Sequence, residues 1–62
     1  MKAIATKRIE DYINYMKNFD GSLEMKVELF YSCAGKIHLA FDLDLLTKEE
    51  KKEFLRKAAA AI

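Results

Sequence analysis

The stretch LFYSCAGKIHLAF, residues 29–41, determines the fold that we predict from the sequence. Apolar residues alternate with polar ones on both sides of residues 33–35, and a period of two gives a strand one buried and one exposed face. Pairing Ser32 with Lys36 leaves 33–35 as a three-residue loop, with Gly35 in the left-handed conformation that such a loop needs. This stretch therefore predicts a β-hairpin.

The alternation extends outward from this loop in both directions. It predicts one strand over about 23–32 and a second over about 36–45, with odd-numbered side chains facing the interior, so that Leu29 lies opposite Leu39. A two-residue loop would set each apolar residue opposite a polar one, and we reject it. The predicted interior set is Leu23, Met25, Val27, Leu29, Tyr31, Ile37, Leu39, Phe41, Leu43 and Leu45.

Helices are predicted on both sides of the hairpin. Between residues 2 and 19 the apolar residues recur every three or four positions, which predicts a helix over 2–19. Gly21 follows at a position where a left-handed glycine can close a helix. Thr47 and Glu50 have the spacing of a capping box, which predicts a second helix over 47–61.

The four elements are expected to form a single α+β domain over residues 1–62, of order helix, strand, strand, helix, with both helices packed on one face of the antiparallel hairpin. A two-stranded sheet has two open edges, whose unpaired amides and carbonyls invite a further strand. The sequence therefore predicts a homodimer whose hairpins join into a four-stranded sheet. A monomer whose helices cover the edges is the alternative.

Composition narrows the possible functions. The 62 residues include 11 Lys and Arg and 10 Asp and Glu, so the formal charge is +1. Nucleic-acid-binding domains usually have a larger cationic excess. The single cysteine cannot form an internal disulfide, and no segment has the pattern of a signal peptide or a bilayer span. These features predict a cytoplasmic protein that does not insert into a membrane.

No group of residues indicates catalysis or cofactor binding. His38 and Cys33 are the only residues of their types, too few for a zinc site or for a nucleophile with its base. Asp42, Asp44 and Glu24 form an acidic cluster in the predicted hairpin, for which a solvated face is the preferred interpretation over a cation site. We predict a protein that is not an enzyme, with no catalytic residue, metal, cofactor or small-molecule substrate.

Two surfaces are candidates for binding a macromolecule. Apolar residues outside the predicted core, together with the histidine beside them, form the first, because grouped exposed hydrophobes can mark a contact. This candidate interaction surface comprises Ile4, Tyr15, Phe30, His38 and Ala40. A basic line in the C-terminal helix forms the second, although neighbouring glutamates offset its charge. The basic line comprises Lys48, Lys52 and Arg56.

The sequence thus predicts a small regulatory or protein-binding module, which binds another protein and also itself as a homodimer. The alternative is a nucleic-acid-binding regulator that uses the basic line. An enzyme whose active site is completed across a dimer interface is the third and least favoured class.

Overall fold

A computed structural model describes all 62 residues and contains three α-helices and no strand. Helix α1 spans Lys2–Asn18, α2 spans Leu23–Asp42 and α3 spans Lys48–Ala60. The α+β prediction is therefore wrong, and the fold is all-α. The two predicted strands and the loop between them form the single helix α2. A four-stranded sheet across a dimer is excluded for the same reason.

The start of α2 is fixed by a side-chain cap. Ser22 has an extended backbone, and its hydroxyl oxygen accepts a hydrogen bond from the Met25 amide at 3.2 Å. This satisfies one of the amides that a helix leaves unpaired at its N-terminus. Gly35 lies inside the helix without a positive φ, so the left-handed turn predicted there is wrong.

The end of α2 has the hydrogen bonds of a Schellman motif. The Leu45 amide donates to the Ala40 carbonyl at 2.9 Å, and the Asp44 amide donates to the Phe41 carbonyl at 3.0 Å. Asp44 has a φ of 60°, the left-handed conformation that this motif requires. The motif turns the chain from α2 toward α3 and brings Leu45 back against the end of α2.

Helices α1 and α3 lie close to the ranges predicted for them. The predicted capping box of α3 is confirmed, because the Thr47 hydroxyl accepts from the Glu50 amide at 3.1 Å and the Glu50 carboxylate accepts from the Thr47 amide at 2.8 Å. The predicted left-handed role of Gly21 is wrong, since its φ is not positive. The ring of Phe19 instead occupies the space that a Cβ at position 21 would need.

The core lies where the three helices meet, and no polar or charged residue is buried in it. Several of its members are small, which allows the helix backbones to approach one another closely. The ten buried residues are Ile9, Ile13, Met16, Cys33, Ile37, Ala40, Leu46, Phe54, Ala58 and Ala61.

The predicted assignment of residues 23–45 to interior and exposed positions is largely wrong, because side chains return to the same face every 3.6 residues in a helix and every two in a strand. Of the predicted interior set only Ile37 is buried, whereas Cys33 and Ala40, which were expected outside it, belong to the core. Half of the predicted set is exposed, namely Leu23, Met25, Tyr31, Leu39 and Leu43. None of the three helices combines the length and the hydropathy that crossing a bilayer would take.

Candidate binding groove

A groove runs between α1 and the C-terminal half of α2, with a volume of about 260 Å³ and one side open to solvent. Six of its eight lining residues are hydrophobic, and the other two are the cations Arg8 and Lys36. No carboxylate lines it. The lining residues are Ala5, Arg8, Ile9, Lys36, Leu39, Ala40, Leu43 and Leu45.

Part of the apolar lining of the groove is exposed to solvent, and further exposed apolar side chains lie beside it. The lining residues Leu39, in the last turn of α2, and Leu43, the residue that follows α2, remain 59% and 60% exposed. On α1, Ile4 and Tyr15 are exposed and share the flank of Arg8, since they lie four residues before it and seven after it. Ile4 and Tyr15 therefore extend the apolar surface of the groove along α1.

The two cations of the groove lie on opposite walls, Arg8 on α1 and Lys36 on α2. The Lys36 ammonium lies 4.9 Å from the centre of the Tyr12 ring, a cation–π contact that connects the two helices. The ion pairs of the molecule join Lys2 to Glu50, Lys7 to Asp11 and Arg56 to Glu53. Arg8 and Lys36 form none, so their positive charge is not neutralised by a neighbouring carboxylate.

The structure separates the residues of the predicted interaction surface. Ile4 and Tyr15 lie on the exposed flank of α1 beside the groove, and Ala40 is buried but forms part of the groove floor. Phe30 is half-buried against the core, and its predicted exposure on a sheet face is wrong. His38 is exposed and does not line the groove.

Cys33 was expected at an exposed loop tip but is fully buried in the core. Burial raises the pKa of its thiol, and the nearby Lys36 charge opposes that shift only in part. A buried thiol with a raised pKa is a poor nucleophile. The acidic cluster of Asp42, Asp44 and Glu24 is not assembled, and no group of three or more His, Cys, Asp or Glu side chains is placed to hold a metal ion.

The predicted basic line lies on the exposed surface of α3. Lys48 and Lys52 are exposed, while the Arg56 guanidinium forms an ion pair with the Glu53 carboxylate. The hydrogen bonds from Arg56 lower the pKa of Glu53. The neighbouring Lys51 contacts the Phe41 ring of α2, with its ammonium 4.4 Å from the ring centre. Part of the basic charge of α3 therefore has partners within the molecule.

The groove was not predicted from the sequence because Leu39 and Leu43 were expected in the interior of a sheet. The sequence does contain a signal for this groove wall, since Lys36, Leu39 and Leu43 have the three-and-four spacing that places residues on one flank of a helix. Comparison with models of known protein families, with curated proteins and with solved structures gave no match.

Proposed function

We propose that this chain is a small, non-enzymatic protein-binding module and that the groove between α1 and α2 is its binding surface. The observation that carries the proposal is the exposure of Leu39 and Leu43, which line an apolar groove. Single exposed hydrophobes are ordinary, whereas a contiguous apolar face is typical of an interaction site. Full burial of one leucine side chain contributes about 1.5–3 kcal/mol, so covering both would add substantially to a complex.

The chemistry of the groove supports binding over catalysis. Its side chains are apolar except for Arg8 and Lys36, so the groove brings together no nucleophile and no general base. The only cysteine is buried outside it. A cytoplasmic location is part of the proposal and is supported by this free cysteine, because the cytoplasm keeps thiols reduced.

The predicted homodimer stays a prediction, but its original reason is gone because the chain has no strand edges. Sedimentation at micromolar concentration tests it directly. Nucleic-acid binding also stays a prediction, and Lys48 and Lys52 are the exposed cations that would carry it. Salt-sensitive binding of random duplex or single-stranded DNA, weakened by Lys48→Glu with Lys52→Glu, would support that alternative. No binding at low salt would eliminate it.

Capture from a native lysate with three forms of the chain tests the protein-binding proposal. The groove variant carries Leu39→Glu and Leu43→Glu, and the control variant carries Leu23→Glu and Tyr31→Glu, which are also exposed but do not line the groove. We expect one or more proteins to be retained by the wild type and the control but lost from the groove variant. Equal recovery of the same proteins with all three forms would contradict the proposal.

A further inference from the structure

We infer that the occupant of the groove is an amphipathic α-helix of a partner protein, with acidic side chains beside its apolar stripe. The inference rests on the proposed function and specifies the class of partner. Two independent observations carry it: the spacing of the residues along the two groove walls, and the sign of the charge that those walls present.

The spacing along α2 fits a helical partner. Side chains on its groove flank recur at alternating intervals of four and three residues, the heptad pattern by which one helix packs into the holes of another. A strand or an irregular peptide has no matching period. The residues of this α2 seam are Met25, Leu29, Ser32, Lys36, Leu39 and Leu43, of which the last three line the groove.

The opposite wall has the same spacing. Its α1 seam comprises Ala5, Arg8, Tyr12 and Tyr15, of which the first two line the groove and Tyr12 contacts Lys36. From the first to the last of these, α1 rises about 15 Å, at about 1.5 Å per residue. A partner helix of about three turns would contact both seams over that distance, and the complex would be a local four-helix arrangement with α3 on the far side.

The charge of the walls selects an acidic partner. Each seam contains one cation, Arg8 in the α1 seam and Lys36 in the α2 seam, and neither forms an ion pair. Partial burial of two unpaired cations under a neutral or basic partner would be unfavourable, because desolvation would not be offset by a counter-charge. Glutamate or aspartate on both sides of the partner's apolar stripe would supply that charge.

Two other occupants fit less well. Sites for small molecules are usually enclosed clefts of about 300–1,000 Å³, whereas this groove is smaller and open on one side. A second copy of the chain, packed by the same face about a two-fold axis, would bring Arg8 and Lys36 toward the same cations of its partner. Like charges would then face one another across the apolar contact.

Three synthetic peptides of about three heptads test the inference. They share a leucine stripe and differ only in the residues that flank it, which are glutamate, glutamine or lysine. Each is titrated into the ¹⁵N-labelled chain at about 50 mM salt, where exposed charges are weakly screened. We expect the glutamate peptide to shift the amide resonances of α1 and of residues 36–43, with a Kd at least about tenfold below that of the lysine peptide.

Variants establish whether the two cations cause the preference. Arg8→Glu with Lys36→Glu should reverse the order of affinity for the three peptides. The milder Arg8→Gln with Lys36→Gln should abolish the preference for the glutamate peptide. Circular dichroism checks that this second variant is folded. The matched control, Lys48→Glu with Lys52→Glu, makes the same charge change on α3 and should keep the order.

Several results would overturn the inference. Equal affinity for the three peptides would show that the groove binds without selecting acidic partners, and would leave the proposed protein-binding function standing. Resonance shifts confined to α3, or a dimer that occupies the groove and excludes every peptide, would contradict the assigned occupant. Failure of the groove-dependent capture from lysate is a separate result, and it would contradict the proposed function itself.

Discussion

The Lys2 ammonium donates to the Glu50 carboxylate at 2.7 Å and so joins the first residue of α1 to the first turn of α3. The same carboxylate oxygen accepts the Thr47 amide at 2.8 Å, which closes the capping box. The cap that starts α3 and the contact between the ends of two helices therefore share one side chain. Because Lys2 is exposed and Glu50 is partly exposed, the ion pair alone is expected to contribute little to stability, and the cap more.

Removing this cap should destabilise the whole molecule. We expect Thr47→Ala to lower the free energy of unfolding by about 1 kcal/mol, since the Glu50 amide loses the hydroxyl oxygen that accepts its hydrogen bond. Urea denaturation followed by circular dichroism measures the change. Thr6→Ala is the control, because the Thr6 hydroxyl donates to carbonyls within α1 and caps no helix. A control as destabilising as Thr47→Ala would contradict the assigned role of the cap.

Acid should weaken the fold through the same carboxylate. The hydrogen bonds from Lys2 and Thr47 hold the pKa of Glu50 below its ordinary value of 4.5. A depressed folded-state pKa contributes stability above the unfolded-state value, and that stability is lost as the pH falls through the folded-state value. We therefore expect Glu50→Gln to flatten the loss of stability below about pH 4.5.

Urea denaturation at several values between about pH 6 and pH 3 measures this loss, as a fall in the midpoint of the unfolding transition with decreasing pH. Glu49→Gln removes a charge from the same helical turn without removing an ion pair, and serves as the control. If both substitutions flatten the profile equally, the Lys2 and Thr47 contacts do not account for the acid sensitivity.

Two of the three helices could be predicted from sequence because each carries a local signal. The Thr47 and Glu50 capping box marks the start of α3, and one apolar stripe defines α1. The third was missed because α2 packs against both α1 and α3 and also lines the exposed groove, so its apolar residues are spread widely around the helix. Along the sequence, that spread resembles the two-residue alternation of apolar and polar side chains in a strand.

Helical features of the middle segment were nevertheless present. Val27 and Ile37 are the only β-branched residues between 23 and 42, whereas strands are usually rich in them. The remaining residues include many good helix formers. A 3.6-residue stripe also runs through the segment, and its members lie in or against the core. That stripe comprises Phe30, Cys33, Ile37 and Ala40. The groove was not predicted because its position depends on this helix.

Substitutions of Ile37 and Leu39, which were predicted to share one sheet face, should change the free energy of unfolding by different amounts. Ile37 is fully buried, whereas Leu39 is 59% exposed. We expect Ile37→Val to lower the free energy of unfolding by about 1 kcal/mol. We expect Leu39→Ala, although it removes more atoms, to change it by no more than about 0.5 kcal/mol. Chemical denaturation of both variants measures the difference, and a larger loss from Leu39→Ala would contradict the assignment of inside and outside.

The thiol of Cys33 should be protected in the folded chain. It is fully buried and burial raises its pKa, so the reactive thiolate is both inaccessible and scarce. We expect a thiol reagent such as dithionitrobenzoate to react slowly with the native chain and at the rate of a free cysteine in concentrated urea. Rapid reaction without denaturant would place Cys33 at the surface, as the hairpin prediction did.

The central structural claim is that residues 23–42 form one continuous helix, and Gly35→Ala tests it most directly. Gly35 lies within α2 without a positive φ, and a Cβ added there would meet nothing within 4 Å beyond its chain neighbours and the adjacent backbone of its own helix. Alanine is favoured over glycine in a helix by about 1 kcal/mol. Urea denaturation at neutral pH should therefore show Gly35→Ala to be more stable than the wild type by about that amount. A less stable variant would instead indicate a left-handed glycine in a turn, and would contradict the helix and the groove built on it.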